Sequence, residues 1–355
     1  MNVAAVMCTL VKVFSPTGVR PEKQVVAMEI AQLWRFPVKS MGGSTVERVR
    51  IERRGAHADR LWAVRDVERG VTASARRVPA LLGCMARYTT EPAADAGPGN
   101  VPVVVVTFPD GRDLASDDPA IHDALSELVG RPMRLVALPP VGDTSQHRMT
   151  VSDSLANFRA SQVRKDFGLG ETEALPDTSV FSTKDIITLA RFSTPPGAFH
   201  DLSPVHLMTT ASLRDLAPDD AGYDVRRFRP NVLIDAGGDV PHRFPETAWV
   251  GGDLEIGPVR LQVTIPTIRC VVPTRPQPGV ELDKGITRQL ADRTNRFLGV
   301  YADVKSPGVV SVGDEVRVHL ATPPGALRRV ATAVNTSATR GVQRLLEATV
   351  LREKD

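Results

Sequence analysis

Short apolar runs that alternate with polar residues and end in Gly, Pro, Asn or Asp dominate two stretches, residues 46–136 and 206–320, which is the pattern of half-buried strands joined by tight turns. In the first stretch, RLWAV (60–64) and VTA (71–73) flank a polar turn ending at Gly70 and predict a hairpin. VVVVTF, the turn Pro109-Asp110-Gly111 and the residues after it predict another. A 3.6-residue period replaces the strand pattern in SDDPAIHDALSELVG, where Asp or Ser caps the start, Pro119 sits in the first turn and Gly130 stops the helix. Ile121, Leu125 and Leu128 then share one face. This is a small α+β unit.

The second stretch holds NVLIDAGG, LEIGPVRLQVTI with a Gly257-Pro258 turn, and GVVSVGDEVRVHL with Gly313-Asp314. One helix interrupts it, GITRQLADRTNRFLG, with Ile286, Leu290 and Phe297 on a common face. Many short strands with few helices predict a closed or nearly closed barrel. Between the two stretches, residues 139–200 carry little periodicity beyond helix-like pieces such as SLANFRASQVRKDFG, and a connection of that length usually has a function of its own. Residues 1–27 read as a flexible extension. Residues 321–355 read as a C-terminal helical extension whose apolar stripe includes Leu327, Val330, Val334, Val342, Leu345 and Leu346. The expected organisation is therefore an extension (1–27), an N-terminal domain (28–138), a connecting region (139–200), a barrel domain (201–320) and a terminal helix (321–355).

Composition narrows the function. At 355 residues, 42% hydrophobic and 24% charged, the chain is long enough for two or three domains with real cores. No run approaches the roughly 18 to 20 apolar residues of a membrane helix. The amino terminus lacks a cationic start followed by a long apolar block, so a cytoplasmic location without membrane attachment is expected. A net charge of +3 without a basic block argues against nucleic acid and suits an anionic small-molecule ligand. Three widely spaced cysteines, Cys8, Cys84 and Cys270, exclude zinc-knuckle and iron–sulfur spacings. Phosphate-loop, dinucleotide, HExxH and nucleophile-elbow motifs are missing.

Three fragments carry chemistry. In FPVKS, Pro37 stiffens the chain ahead of Lys39 and Ser40, which read either as a solvated turn or as a compact donor pair for an anion. RRFRPN (226–231) is an arginine-dense turn, read as a helix end or an anion site. In Arg269-Cys270 the neighbouring guanidinium is expected to depress the thiol pKa, so that a thiolate could attack or bind a soft metal. Inert burial is the competing reading for a free cysteine.

Taken in order, LWRFPVKSMGG, DRLWAV, FRPNVLI, IRC with its proline-rich sequel, and SPGVVSVGD resemble the MOSC family, and in particular its amidoxime-reducing members with an amino-terminal MOSC-associated domain. The resemblance spans most of residues 28–320. It implies an α+β, mainly β fold, a MOSC β-barrel packed against the smaller N-terminal domain. It also implies a molybdenum cofactor (Mo-molybdopterin) with Cys270 as catalytic metal ligand. Lys39, Ser40, Arg60, Arg229, Asn231 and Arg269 would bind the cofactor, joined by Asp201 and Ser203 from HDLSPVHL and by Tyr301 from LGVYADV. The implied activity is a molybdenum-dependent oxidoreductase that reduces N-hydroxylated small molecules by oxygen-atom transfer. Electrons would come from a separate ferredoxin, flavoprotein or haem protein, since this chain has no cysteines for an Fe-S cluster. The competing function is a sulfur or molybdenum-cofactor carrier that uses Cys270 as a persulfide or metal-presenting thiol. Beside Cys270 the sequence departs from the family: Ile268 stands where serine is usual, no acid follows until Glu281, and Arg275 is expected to add charge at the pocket mouth.

Overall fold

A computed structural model describes residues 28–219, 222–237 and 243–321. The extension 1–27 and all of the C-terminal helical extension except Ala321 fall outside the described residues. Seven strands close into a barrel: Met28–Arg35, Val232–Asp235, Val205–Thr209, Phe297–Ser306, Val259–Ile268, Asp253–Ile256 and Glu315–His319, which returns to the first. Val205–Thr209 and Val232–Asp235 run parallel, and their neighbours are antiparallel. Alternation explains the interior. Val259, Leu261 and Val263 point inward from one strand and meet Leu254, Ile256, Val300 and Ala302 in a continuous apolar cluster, while the intervening residues face outward. Every residue of Val205–Thr209 is buried, as expected of a strand covered on both faces.

A second core lies between short antiparallel sheets and helix α1, Ala120–Val129. Both predicted hairpins form here, Trp62–Asp66 with Val71–Thr72 and Val105–Thr107 with Asp113–Ala115. Gly130 stops α1 in the left-handed conformation, where the absence of a Cβ removes the steric cost. The turn at Gly313-Asp314 does not join hairpin partners. Gly308–Ser311 pairs with Arg48–Glu52, whereas Glu315–His319 belongs to the barrel.

Residues 139–200 hold three helices, α2 (Val151–Asn157), α3 (Ala160–Phe167) and α4 (Thr183–Arg191). Thr150 caps α2, and Ser182 with Asp185 forms a capping box on α4. After them come α5 (Thr210–Leu216) and α6 (Gly285–Thr294). The predicted helix over 285–299 is shorter than expected: Asn295 and Arg296 take positive φ, 49° and 68°, which breaks the helix, so Phe297 starts a strand instead of extending the face of Ile286 and Leu290. Among the described residues no helix is long and apolar enough to cross a membrane.

Candidate functional site

The carboxyl end of Val259–Ile268, the turns that precede Val205–Thr209 and Val232–Asp235, the segment that follows Met28–Arg35, the residue Arg60 just ahead of Trp62–Asp66 and the turn after Val71–Thr72 converge on one cavity of about 400 Å³. Lys39, Ser40, Arg60, Asp201, Ser203, Arg229, Asn231, Arg269, Cys270 and Tyr301, separated by up to 262 positions (301 − 39), all line it. Ile268 lines it as well, but Arg275 does not. Arg76 and Arg77 line it in addition.

Cys270 lies two residues beyond its strand, just before a short turn, Val272–Thr274, that Pro273 helps to set. It is a free, half-buried thiol. Burial pushes its pKa up, with Arg76 the foremost charge opposing that rise and Arg269 a minor one. The thiolate expected from the Arg-Cys pair is therefore not produced by the neighbour in sequence. The reason is geometric: Arg269 turns its Nε to the Leu298 carbonyl at 2.7 Å, its Nη1 to the Phe228 carbonyl at 3.0 Å and its Nη2 to His206 Nε2 at 2.6 Å. Its donors brace the barrel wall, and burial lowers its pKa to about 10.

Arg229 differs. Neither Nη1 nor Nη2 has a hydrogen-bond partner although both are buried. Burial, then the charge of Arg60, brings its pKa down to about 9. Arg60 and Arg229 both lie against the Phe36 ring, their guanidinium carbons 4.9 and 4.3 Å from its centroid, where the π face offsets part of the repulsion between them. Arg60 Nη1 is paired with the Asp59 carboxylate, and its Nη2 donates to the Arg229 carbonyl at 3.3 Å. Ser40, Arg60 and Arg229 have φ of 71°, 51° and 57°. The left-handed region costs a non-glycine residue about 1 kcal/mol, and such strain concentrates where a site needs side chains aimed in a set direction.

Lys39 donates to Asp201 Oδ1. Burial pushes the ammonium down, with Asp201 opposing; burial works to raise Asp201, but the Lys39 charge wins and keeps it ionised. Burial raises Tyr301, so its hydroxyl stays protonated. Asn231 is an internal node more than a free donor, giving its Nδ2 to Asp59 at 3.1 Å and accepting from His206 N at 3.3 Å. Ser40 Oγ accepts the Ala75 N–H at 2.9 Å, which draws residues 74–77 into the cavity wall.

That turn was not singled out from sequence, although the SARR run directly after a predicted hairpin is a legible cationic signal. His206 was also missed, and an isolated histidine inside an apolar strand offers no signal. Thr267, buried with an unpartnered hydroxyl, is a further lining residue. Among the described residues no three His, Cys, Asp or Glu side chains come together as a metal cluster.

The sequence matches the MOSC N-terminal beta barrel domain over residues 27–124 and the MOSC domain over residues 195–317. It is 25% identical over 308 residues to mitochondrial amidoxime reducing component 2 of Bos taurus, covering 81% of this chain and 82% of that protein. Mitochondrial amidoxime-reducing component 1 of Homo sapiens is 27% identical over 321 residues, covering 81% and 82%. Among solved structures, the YUAD protein from Bacillus subtilis aligns with 83% of this chain and 97% of its own at 9% identity and a TM-score of 0.37.

Proposed function

Because this chain belongs to the MOSC family, we propose that it binds a molybdenum cofactor in this cavity and reduces N-hydroxylated small molecules with electrons from a separate redox protein. The observation that carries the reading is the pairing, in one cavity, of the free Cys270 thiol with the unpartnered Nη1 and Nη2 of Arg229. Two buried guanidinium donors without acceptors are costly, and an anionic cofactor group would supply those acceptors.

The residues fit the group. Cys270 would be the one protein ligand to the metal, in keeping with the absence of a His/Cys/acid cluster among the described residues. Arg229 would hold the anionic end, with Arg60 beside it and the 74–77 turn adding Arg76. When bound, the cofactor would supply two-electron oxygen-atom transfer. The chain's own groups would orient and protonate. Reduction of R–NHOH to R–NH2 and water takes up two electrons and two protons. Lys39 Nζ and the Tyr301 hydroxyl line the cavity and would be the proton donors, with ionised Asp201 holding Lys39 in place. Arg269 would act as a brace behind Cys270, not as a contact to the anion.

The test is expression in a host able to make the cofactor, then molybdenum and pterin analysis of the purified protein and benzamidoxime reduction with a chemical electron donor. About one molybdenum per chain together with amine formation is the expected result. Protein that carries cyanide-labile sulfur and no molybdenum would overturn it in favour of a sulfur carrier.

A further inference from the structure

Helices α2 and α4 bury no residue fully and α3 buries only Asp166, yet this region has a well-formed apolar face. Phe158, Phe167, Leu175, Phe181, Ile186 and Leu189 all line the cavity that holds Cys270, each of them half-buried. A surface helix ordinarily turns such a stripe onto the core, where it leaves water. Here the stripe lines the same cavity as Arg60, Arg229 and Cys270.

The wall is fastened beside the thiol. The Asp166 carbonyl accepts the N–H of Val271, the residue after Cys270, at 2.9 Å. The Asp166 carboxylate takes Arg77 Nε at 3.2 Å and Nη2 at 2.7 Å, Gln162 at 2.8 Å, and an ion pair with Arg76 at 3.3 Å. Burial works against that charge, but the two arginines outweigh it and keep the group ionised. Gly168, at the end of α3, sits so close to Val271 that a Cβ there would come within 3.2 Å of it. The apolar face is thus held at a set distance from Cys270.

We infer that residues 157–189 form a substrate-selecting wall, so that the ligand is an uncharged N-oxygenated compound whose aryl or alkyl body lies along this face with its polar end toward Cys270. The inference rests on the proposed reductase reading and names its substrate class. A charged body would lose its hydration against this apolar face, and a small polar molecule would leave the stripe in water.

The test is calorimetric titration of the oxidised holoprotein, without reductant, with acetamidoxime, benzamidoxime, 4-ethylbenzamidoxime and 4-butylbenzamidoxime. Kd should tighten along the series, about fourfold for each added methylene that the wall covers. Phe181→Gln and Ile186→Thr should each flatten that trend, and the second, milder change guards against loss of folding in the first. Equal Kd values across the series, or no binding by any member, overturns the inference whatever the variants do. The two readings fail separately: a clear trend with no member reduced by a chemical donor removes the reductase assignment and leaves the wall, while reduction with flat affinities does the reverse.

Discussion

Arg269 Nη2 lies 2.6 Å from His206 Nε2. A guanidinium only donates, so Nε2 carries the lone pair and Nδ1 carries the proton, which it gives to the Arg229 carbonyl at 3.3 Å. His206 is therefore a neutral strut between the residue before Cys270 and the left-handed backbone of Arg229. Burial and the Arg269 charge hold its pKa well below the usual imidazole range.

Stability should fall on mild acidification. Burial brings His147 and His200 down to about 4 and His206 well below its ordinary value. Between about pH 6.5 and pH 4 the unfolded chain binds more protons than the folded one, so stability is complete above that window and declines as pH falls through it. By about pH 5 each imidazole costs on the order of 1–2 kcal/mol. Glu246, whose buried carboxyl is raised, acts in the opposite sense but is a single group. Urea unfolding followed between about pH 7 and pH 5 checks this; a midpoint that stays constant or rises toward pH 5 contradicts it.

Arg229→Met should move stability and cofactor retention in opposite directions. Removing an unpartnered buried guanidinium relieves on the order of 1–2 kcal/mol in the cofactor-free chain, while the same change removes the anion's donors. Thermal melts of cofactor-free protein should rise and the pterin content of holoprotein should drop. A lower melting temperature in the cofactor-free variant counts against the site geometry.

Cys270→Ser should abolish amidoxime reduction and strip molybdenum from the purified protein, because a hard hydroxyl replaces a soft thiolate ligand. The side chain is half-buried at a cavity wall, so folding stability should change by no more than about 0.5 kcal/mol. Full activity with normal metal content would remove Cys270 from its assigned role.

Gly299→Ala should destabilise the barrel from a position with no chemistry of its own. Gly299 has φ of 76°, and a Cβ there would lie 2.7 Å from both His206 Nε2 and Met208 Cγ and 2.8 Å from the Leu207 carbonyl. Strain and displacement of the His206 strut together predict a loss of about 2–3 kcal/mol. Calorimetric melting reads this directly, and an unchanged melting temperature refutes the close packing.

Local order along the chain was legible where period and turn chemistry agree. Gly130 ended α1 and the hairpin at Pro109-Asp110-Gly111 formed where the pattern placed it, because φ preferences and alternation act within a few residues. The barrel class followed from many short strands, and the ten residues that the family resemblance picked out, far apart in the chain, all line one cavity. The three helices of residues 151–191 were only faintly visible, since they are short and part of the apolar face, Leu175 and Phe181, lies between α3 and α4. Phe297 was misassigned because two successive left-handed residues, Asn295 and Arg296, are not marked by glycine.

What the sequence by itself determined was the hairpins of the N-terminal unit, helix α1, part of the barrel's strands and the identity of the chemically able side chains. Only the tertiary structure decided their states. Arg269 stands next to Cys270 in sequence yet points to His206, while Arg229, 41 positions from Cys270 (270 − 229), faces the cavity unpaired. A side chain's charge and partners depend on burial and direction, and both arise from the closure of the barrel and the docking of residues 74–77 and 151–191 around it. Contacts between residues far apart in the chain set those terms, and no local pattern records them.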